Sequence, residues 1–275
     1  MMTDEALFRG FGLDYHYLHF MEAIASCGSI EGKRVFEIGG CLPREIVIDH
    51  YKAAKWIGID LPEYWKESGD QNPSARVQNN RMPLRDYSSI AEIDHLCLEG
   101  DVSRLPPSFN AQFDFVFSTS ALEHVSDIRG TLSSAARILK SGGKFYAVAM
   151  QLWLSSTGHH LPTILKDGKP FELEAPLIPP WAHLYLSPEE LQENLSTRLP
   201  GDVVQQIIYF TYLSPHINRA MPDDYERAFM AADFSGRCAV RIYEAPAPQD
   251  IQAKLETRYG TRRFDQWGIR LIGEK

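Results

Sequence analysis

A chain of 275 residues, 44% apolar and 23% charged, has the material for one large domain or one and a half and the composition of an ordinary globular protein. Its net charge of -8 argues against general affinity for nucleic acid or anionic membrane, and no apolar run approaches the ~20 residues of a membrane helix. The first residues, MMTDEALFRGFG, lack the basic-then-apolar order of a secretory leader. Cys27, Cys41, Cys97 and Cys238 are too scattered for a zinc site or a disulfide framework, so reduced thiols and a cytoplasmic setting are expected.

In chain order, Tyr17, Phe20, Met21 and Ile24 are spaced for one face of a helix over residues 15–26. RVFEIG is a short apolar strand ending in Gly39 and Gly40; Pro43 suits a first helical turn, continued by Ile46, Val47, His50 and Tyr51. AKWIGIDLP is a second strand that ends at Asp60, with Pro62 closing it. Residues 63–92 are polar and show no assignable period. HLCLEGD (95–101) and FDFVFSTS (113–120) read as the third and fourth strands. Ser126 and Asp127 can cap a helix with Ile128, Leu132, Ala135, Ala136 and Leu139 on one side; SGG stops it, and KFYAVAM is a fifth strand.

After Met150 the texture changes. Residues 151–186 carry five prolines and two adjacent histidines with little periodicity, the mark of a lid or binding loop. Ser187, Pro188 and Glu190 open a helix over 187–195 with a capping box. VVQQIIYFTYL (203–213) and CAVRIYEA (238–245) read as two late strands separated by a helix near 223–232. Alternation of apolar strands with helices implies a mostly parallel sheet covered on both faces, with any ligand along the edge formed by the strands' C-terminal ends. The expected division is a helical segment at 1–32, a main domain at 33–250 with the lid inserted at 151–186, and a tail at 251–275.

The turn after the first strand is Gly39-Gly40-Cys41-Leu42-Pro43. A dinucleotide turn needs G-x-G-x-x-G so that backbone amides close on a pyrophosphate. Here the second and third glycines are missing and Pro43 removes an amide. Glu37, in the strand, would repel a pyrophosphate but can bind an ammonium group. Asp60 ends the second strand, where an acid can accept both ribose hydroxyls. Either acid also has a plain structural reading, as a strand-end charge or a helix cap. A ribose with an ammonium and no phosphate describes S-adenosylmethionine better than NAD.

With VFEIGG, GIDLP, LEGDV, FDFVFSTSALEHVSD and ARILKSGGKFYA in that order, residues 33–150 resemble a class I S-adenosylmethionine-dependent methyltransferase, of the branch that includes ubiquinone-biosynthesis-type enzymes. The resemblance implies an α/β, Rossmann-like, seven-stranded mostly parallel sheet with helices on both faces and an antiparallel C-terminal edge strand. It implies that the cofactor is held by Glu37, Gly39, Gly40, Asp60, Leu61, Asp101, Val102, Ser118, Thr119 and His124, with Asp101 and Val102 reading the adenine edge. Glu123 and His124 either back the cofactor site or form a self-satisfied polar cluster.

Methyl transfer from a sulfonium is an in-line displacement in which the protein aligns the partners and excludes water. A general base is needed where the acceptor begins as a hydroxyl. LSSTGHHLP follows the fifth strand, so His160, with His159 as the alternative, is the expected base; both can equally be loop histidines that bond carbonyls and hold the lid. A metal set of His159, His160 and His183 is disfavoured, because adjacent histidines lack the spacing that presents two ligands from one helix face. Tyr15 and Tyr17, with Trp153 and Trp181 in the lid, are the expected substrate contacts, and aromatic faces favour a cationic donor.

The expected activity is S-adenosylmethionine-dependent methyl transfer to an oxygen or nitrogen of a metabolite, natural-product intermediate or sugar. The expected partner is that small molecule, with no nucleic acid, no membrane and no metal; a homodimer is compatible with the sequence. The competing readings are an NAD-dependent Rossmann oxidoreductase and a methyltransferase-like binding protein without catalysis.

Overall fold

The computed structural model describes residues 3–61, 80–171, 173 and 176–275. Pro62, residues 63–79 of the unassigned segment and residues 172, 174 and 175 of the expected lid lie outside them.

Ten strands are present among these residues: β1 (Arg34–Ile38), β2 (Lys55–Asp60), β3 (Arg81–Pro83), β4 (His95–Glu99), β5 (Phe113–Thr119), β6 (Leu139–Met150), β7 (Leu165–Lys166), β8 (Lys169–Pro170), β9 (Gly236–Tyr243) and β10 (Gln266–Glu274). Eight form one sheet in the order β3-β4-β2-β1-β5-β6-β10-β9, while β7 and β8 make a small separate hairpin. Pairing is parallel from β3 through β6 and antiparallel where β10 joins β6 and β9 joins β10. Strand order reverses at β1, which has β2 on one side and β5 on the other, so a crevice opens beyond the C-terminal ends of these strands.

Strands β1, β2 and β5 are apolar nearly throughout because both faces are covered. On one face lies α2 (Asp14–Cys27), whose Phe20 ring meets Phe117 and Trp56. On the other lie α3 (Ile128–Ile138) and the helix Pro222–Ala231, which bury Leu132, Ala135, Ala136, Tyr225 and Phe229 against the sheet. Asp127 caps α3 by accepting from the Gly130 amide. A short N-terminal helix, α1 (Asp4–Gly10), packs its Phe8 with Phe20.

Several expectations need correction. The sheet has eight strands rather than seven. Residues 251–275 are not a tail: they contain a helix and β10, which lies inside the sheet between β6 and β9. Residues 203–213 form no strand. They make the helix Gly201–Ile208, followed by a π-helical turn, because Val203, Val204, Ile207 and Ile208 share one buried face at helical spacing. The segment after Pro43 is likewise a single π-helical turn, Glu45–His50, rather than a regular helix. Finally, SGG does not stop α3: the helix ends at Ile138 and β6 begins at Leu139.

Within the expected lid, a short helix, Ala182–Tyr185, precedes the helix Pro188–Ser196, whose Ser187 and Glu190 form the expected capping box. Ile164, Ile178, Leu191, Leu195 and Ile207 make a small core of their own here. The lid thus rests on the helices after it, not on the sheet alone.

Candidate active site

The turn leaving β1 is shaped by one glycine and one acid. Gly39 has φ +87, in the left-handed region, and a Cβ there would lie 1.9 Å from the Ala121 Cβ. Its backbone therefore passes directly over the chain leaving β5. Behind it, Glu37 Oε2 accepts the Leu42 amide at 2.7 Å and the Trp56 indole N–H at 2.6 Å. Burial pushes this carboxyl up to about 7. Glu37 and Gly40 are not among the crevice walls; Glu37, expected to bind an ammonium group directly or through water, folds the turn from behind.

The crevice is walled by Ile38 and Gly39 after β1, Asp60 and Leu61 after β2, Asp101 and Val102 after β4, and Ser120, Ala121 and His124 after β5. Asp60 Oδ1 accepts the Leu61 amide at 2.8 Å, and Oδ2 stands 4.0 Å from the Arg81 guanidinium. Asp101 Oδ1 accepts both the amide and the hydroxyl of Ser103 at 2.8 Å, which fixes the turn that presents Val102. Ser118 is fully buried and donates to the Ile38 carbonyl inside the sheet, so it holds two strands together and walls nothing. Two carboxylates and no lysine or arginine face the crevice among the described residues. That donor set fits a cationic nucleoside and opposes a diphosphate.

A second cavity, of about 310 Å³, adjoins the first and shares Gly39, Ser120 and His124 with it. Tyr15, His16, Thr119, Glu123, Met150, Gln151, His160 and Trp267 complete its walls. The Tyr15 hydroxyl bonds to Ser120 Oγ and lies 3.5 Å from Met150 Sδ. His160 donates from Nε2 to the carbonyls of Gln151 at 2.7 Å and Met150 at 3.1 Å. Burial, together with the neighbouring His124 ring at 5.0 Å, lowers the His160 imidazole to about 3. His124 donates from Nδ1 to the His216 carbonyl at 2.9 Å, and burial lowers it to about 4. Both rings are therefore neutral across the physiological range. His160 holds the chain leaving β6, with its Nε2 committed to two backbone carbonyls.

Glu123, which the sequence set with His124 either behind the cofactor site or in a self-satisfied polar cluster, is a wall of the second cavity. It is 2% exposed, its Oε1 accepts the Met150 amide at 3.3 Å, and burial pushes its carboxyl up to about 8. The signal available was an acid four residues past the end of β5, within ALEHV.

Other expected site residues lie elsewhere. His159 turns away from His160, accepts the Leu161 amide and packs its ring against His183 at 5.4 Å. Trp153 stands over His183 with the Arg219 guanidinium 5.5 Å from its ring. Trp181 donates to the Phe264 carbonyl at 2.7 Å within a small core of Leu154, Leu184 and Leu255. Tyr17 packs on Phe8. None of these four walls the crevice or the cavity beside it. Among the described residues no three metal-ligating side chains cluster, and no helix is long and apolar enough to cross a membrane.

Residues 39–147 match the model of a family described as a methyltransferase domain. Among solved structures, an S-adenosylmethionine-dependent methyltransferase from Mesorhizobium loti is similar at 14% identity, over 94% of this chain and 97% of that one, with a TM-score of 0.49. An arsenic(III) S-adenosylmethionine methyltransferase from Chlamydomonas reinhardtii is similar at 16% identity, over 89% and 64% of the two chains, with a TM-score of 0.40. A geranyl diphosphate C-methyltransferase from Streptomyces coelicolor, solved with S-adenosylhomocysteine, is similar at 13% identity, over 99% and 84%, with a TM-score of 0.45. No curated protein matches the sequence. The match over residues 39–147 bears out the methyltransferase expected from the ordered motifs.

Proposed function

We propose that the methyltransferase domain carried by residues 39–147 moves a methyl group from S-adenosylmethionine to an oxygen or nitrogen of a small polar acceptor seated in the cavity beside the crevice. The observation that carries this reading is the common wall. Gly39, Ser120 and His124 face both spaces, so a donor in the crevice and an acceptor in the cavity meet there.

The cofactor supplies an activated methyl on a good neutral leaving group. The chain's own residues do the rest. In this reading Asp60 accepts ribose hydroxyls and Asp101 with the Val102 amide meets the adenine edge; all three residues wall the crevice. Tyr15, tied to Ser120, closes one side of the cavity, and the strand end at Met150 and Gln151, pinned by His160, closes another. Holding both partners in line accounts for much of the acceleration such a reaction needs. The net charge of -8 supports a small-molecule acceptor over nucleic acid or an anionic membrane. A cytoplasmic setting and a homodimer remain part of the same proposal.

Titration calorimetry tests it. S-adenosylmethionine and S-adenosylhomocysteine are expected to bind with Kd in the micromolar range, about -8 kcal/mol, and NAD not at all. Binding of NAD with no heat from either sulfur nucleoside overturns the reading.

A further inference from the structure

Three buried polar atoms of the acceptor cavity have no partner: Glu123 Oε2, Thr119 Oγ1 and His16 Nδ1. Glu123 and Thr119 are 2% and 7% exposed, so water does not satisfy them from outside. A buried polar group left unpaired costs about 1–3 kcal/mol, more when charged, and three around one space call for a ligand that donates to them.

We propose that Glu123 is the proton acceptor of the transfer, and that the molecule it serves carries an acidic hydroxyl, a phenol or an enol. The proposal rests on the methyltransferase reading above. In the step, the acceptor oxygen attacks the sulfonium methyl, the new C–O bond forms as the C–S bond breaks, and the hydroxyl proton passes to Glu123 Oε2. The products are the methyl ether, neutral S-adenosylhomocysteine and a protonated Glu123, which returns its proton to solvent after release.

The chemistry of the walls selects this class. An aliphatic amine would meet the carboxylate as an ammonium, with no lone pair left for attack. A phenol, with a pKa near 10, lies close enough to a carboxyl raised by burial for transfer in the transition state. The titratable groups facing Glu123 are Tyr15 and His16 from α2, His124 beside it, His160 from the segment after β6 and Tyr225 from the helix Pro222–Ala231. His16, His124 and His160 are held neutral by burial, and no ion pair reaches Glu123 among the described residues. The sulfonium is then the cation that favours the ionised carboxylate at the moment of transfer.

The test follows tritiated methyl from S-adenosylmethionine into catechol and 4-nitrocatechol, with histamine and spermidine as amine probes. The wild-type protein is expected to methylate the catechols, with kcat rising as pH climbs toward about 8. Glu123→Gln is expected to lower kcat by about 10²–10⁴-fold and flatten that rise, while the Kd for S-adenosylhomocysteine stays within about twofold. Should Glu123→Gln not fold, Glu123→Asp keeps a base and is expected to retain the pH dependence with kcat at least about tenfold lower. A Glu123→Gln or Glu123→Asp kcat within about threefold of wild type overturns the proposal, as does methylation of the amines alone or of no probe by a protein that binds S-adenosylhomocysteine. Failure to bind S-adenosylhomocysteine instead removes the reading on which the proposal rests.

Discussion

The Trp56 indole N–H donates to Glu37 Oε2 at 2.6 Å, and the Leu42 amide reaches the same oxygen at 2.7 Å. One carboxylate oxygen thus ties strand β2 to the turn that leaves β1, with no solvent between them. Glu37→Ala leaves both donors unpaired and is expected to cost about 2–5 kcal/mol of stability. Glu37→Gln keeps an acceptor oxygen of the same reach and is expected to cost about 1–2 kcal/mol. Urea unfolding separates them; equal losses would show that the two bonds do not hold the turn.

Gly39 and Ala121 approach too closely for any side chain at position 39. Gly39→Ala brings its Cβ into the Ala121 Cβ at 1.9 Å and places a side chain at φ +87. Because Gly39 walls both spaces, S-adenosylhomocysteine affinity is expected to fall by at least about tenfold, with a lowered urea midpoint. Adding Ala121→Gly removes the collision but not the backbone strain, so the pair is expected to recover part of the loss. A double variant no better than Gly39→Ala places the damage in the backbone alone.

Asp60 and Trp153 make a contrasting pair for the cofactor. Asp60 walls the crevice at the end of β2, whereas Trp153 stands over His183, outside it. Asp60→Ala is expected to raise the Kd for S-adenosylhomocysteine by about 10–100-fold, the value of charge-assisted hydrogen bonds. Trp153→Ala is expected to leave that Kd within about twofold. Calorimetry on both variants decides; the reverse ranking would move the cofactor away from the crevice.

The parallel half of the sheet was legible because strands buried on both faces are apolar nearly throughout, as in WIGID and FDFVFST. The order of the motifs then located Asp60, Asp101 and Gly39 at strand ends, where topology brings them together. The C-terminal half was harder. Strand β10 alternates buried Ile269 and Leu271 with half-buried Arg270 and Ile272, a pattern too short to separate from a polar terminus. Residues 203–213 are rich in β-branched and aromatic side chains, which favour strand, yet their helical spacing prevailed once a neighbouring helix offered a core. The histidine pair splits, His160 at the cavity and His159 against His183, and sequence carries no sign of how deeply each ring is buried. For Glu123 the reverse held: the residue stood in view beside His124, but its burial and its unpaired oxygen, on which the proposed role rests, did not.

Buried histidines and buried acids act on stability in opposite directions. Burial lowers His16, His124 and His183 to about 4 and His159 and His160 to about 3, against an ordinary 6.5. Below about pH 6.5 the unfolded chain takes up protons that these folded rings refuse, so their contribution is present above that pH and is lost as pH falls. Glu37 and Glu123 run the other way. Their folded values of about 7 and 8 exceed the ordinary 4.5, so the native state keeps protons that the unfolded chain has released. Stability from them declines as pH rises from about 4.5 to about 8. Where both act, five rings outweigh two carboxyls, and each net proton is worth about 1.4 kcal/mol per pH unit. Scanning calorimetry is therefore expected to give a Tm that peaks near pH 6.5, falls steeply toward pH 5 and declines gently toward pH 8. Glu123→Gln is expected to flatten the alkaline side and leave the acid side steep. A Tm constant between about pH 5 and pH 7 would mean that these rings accept protons in the folded state, which would restore His160 as a candidate base.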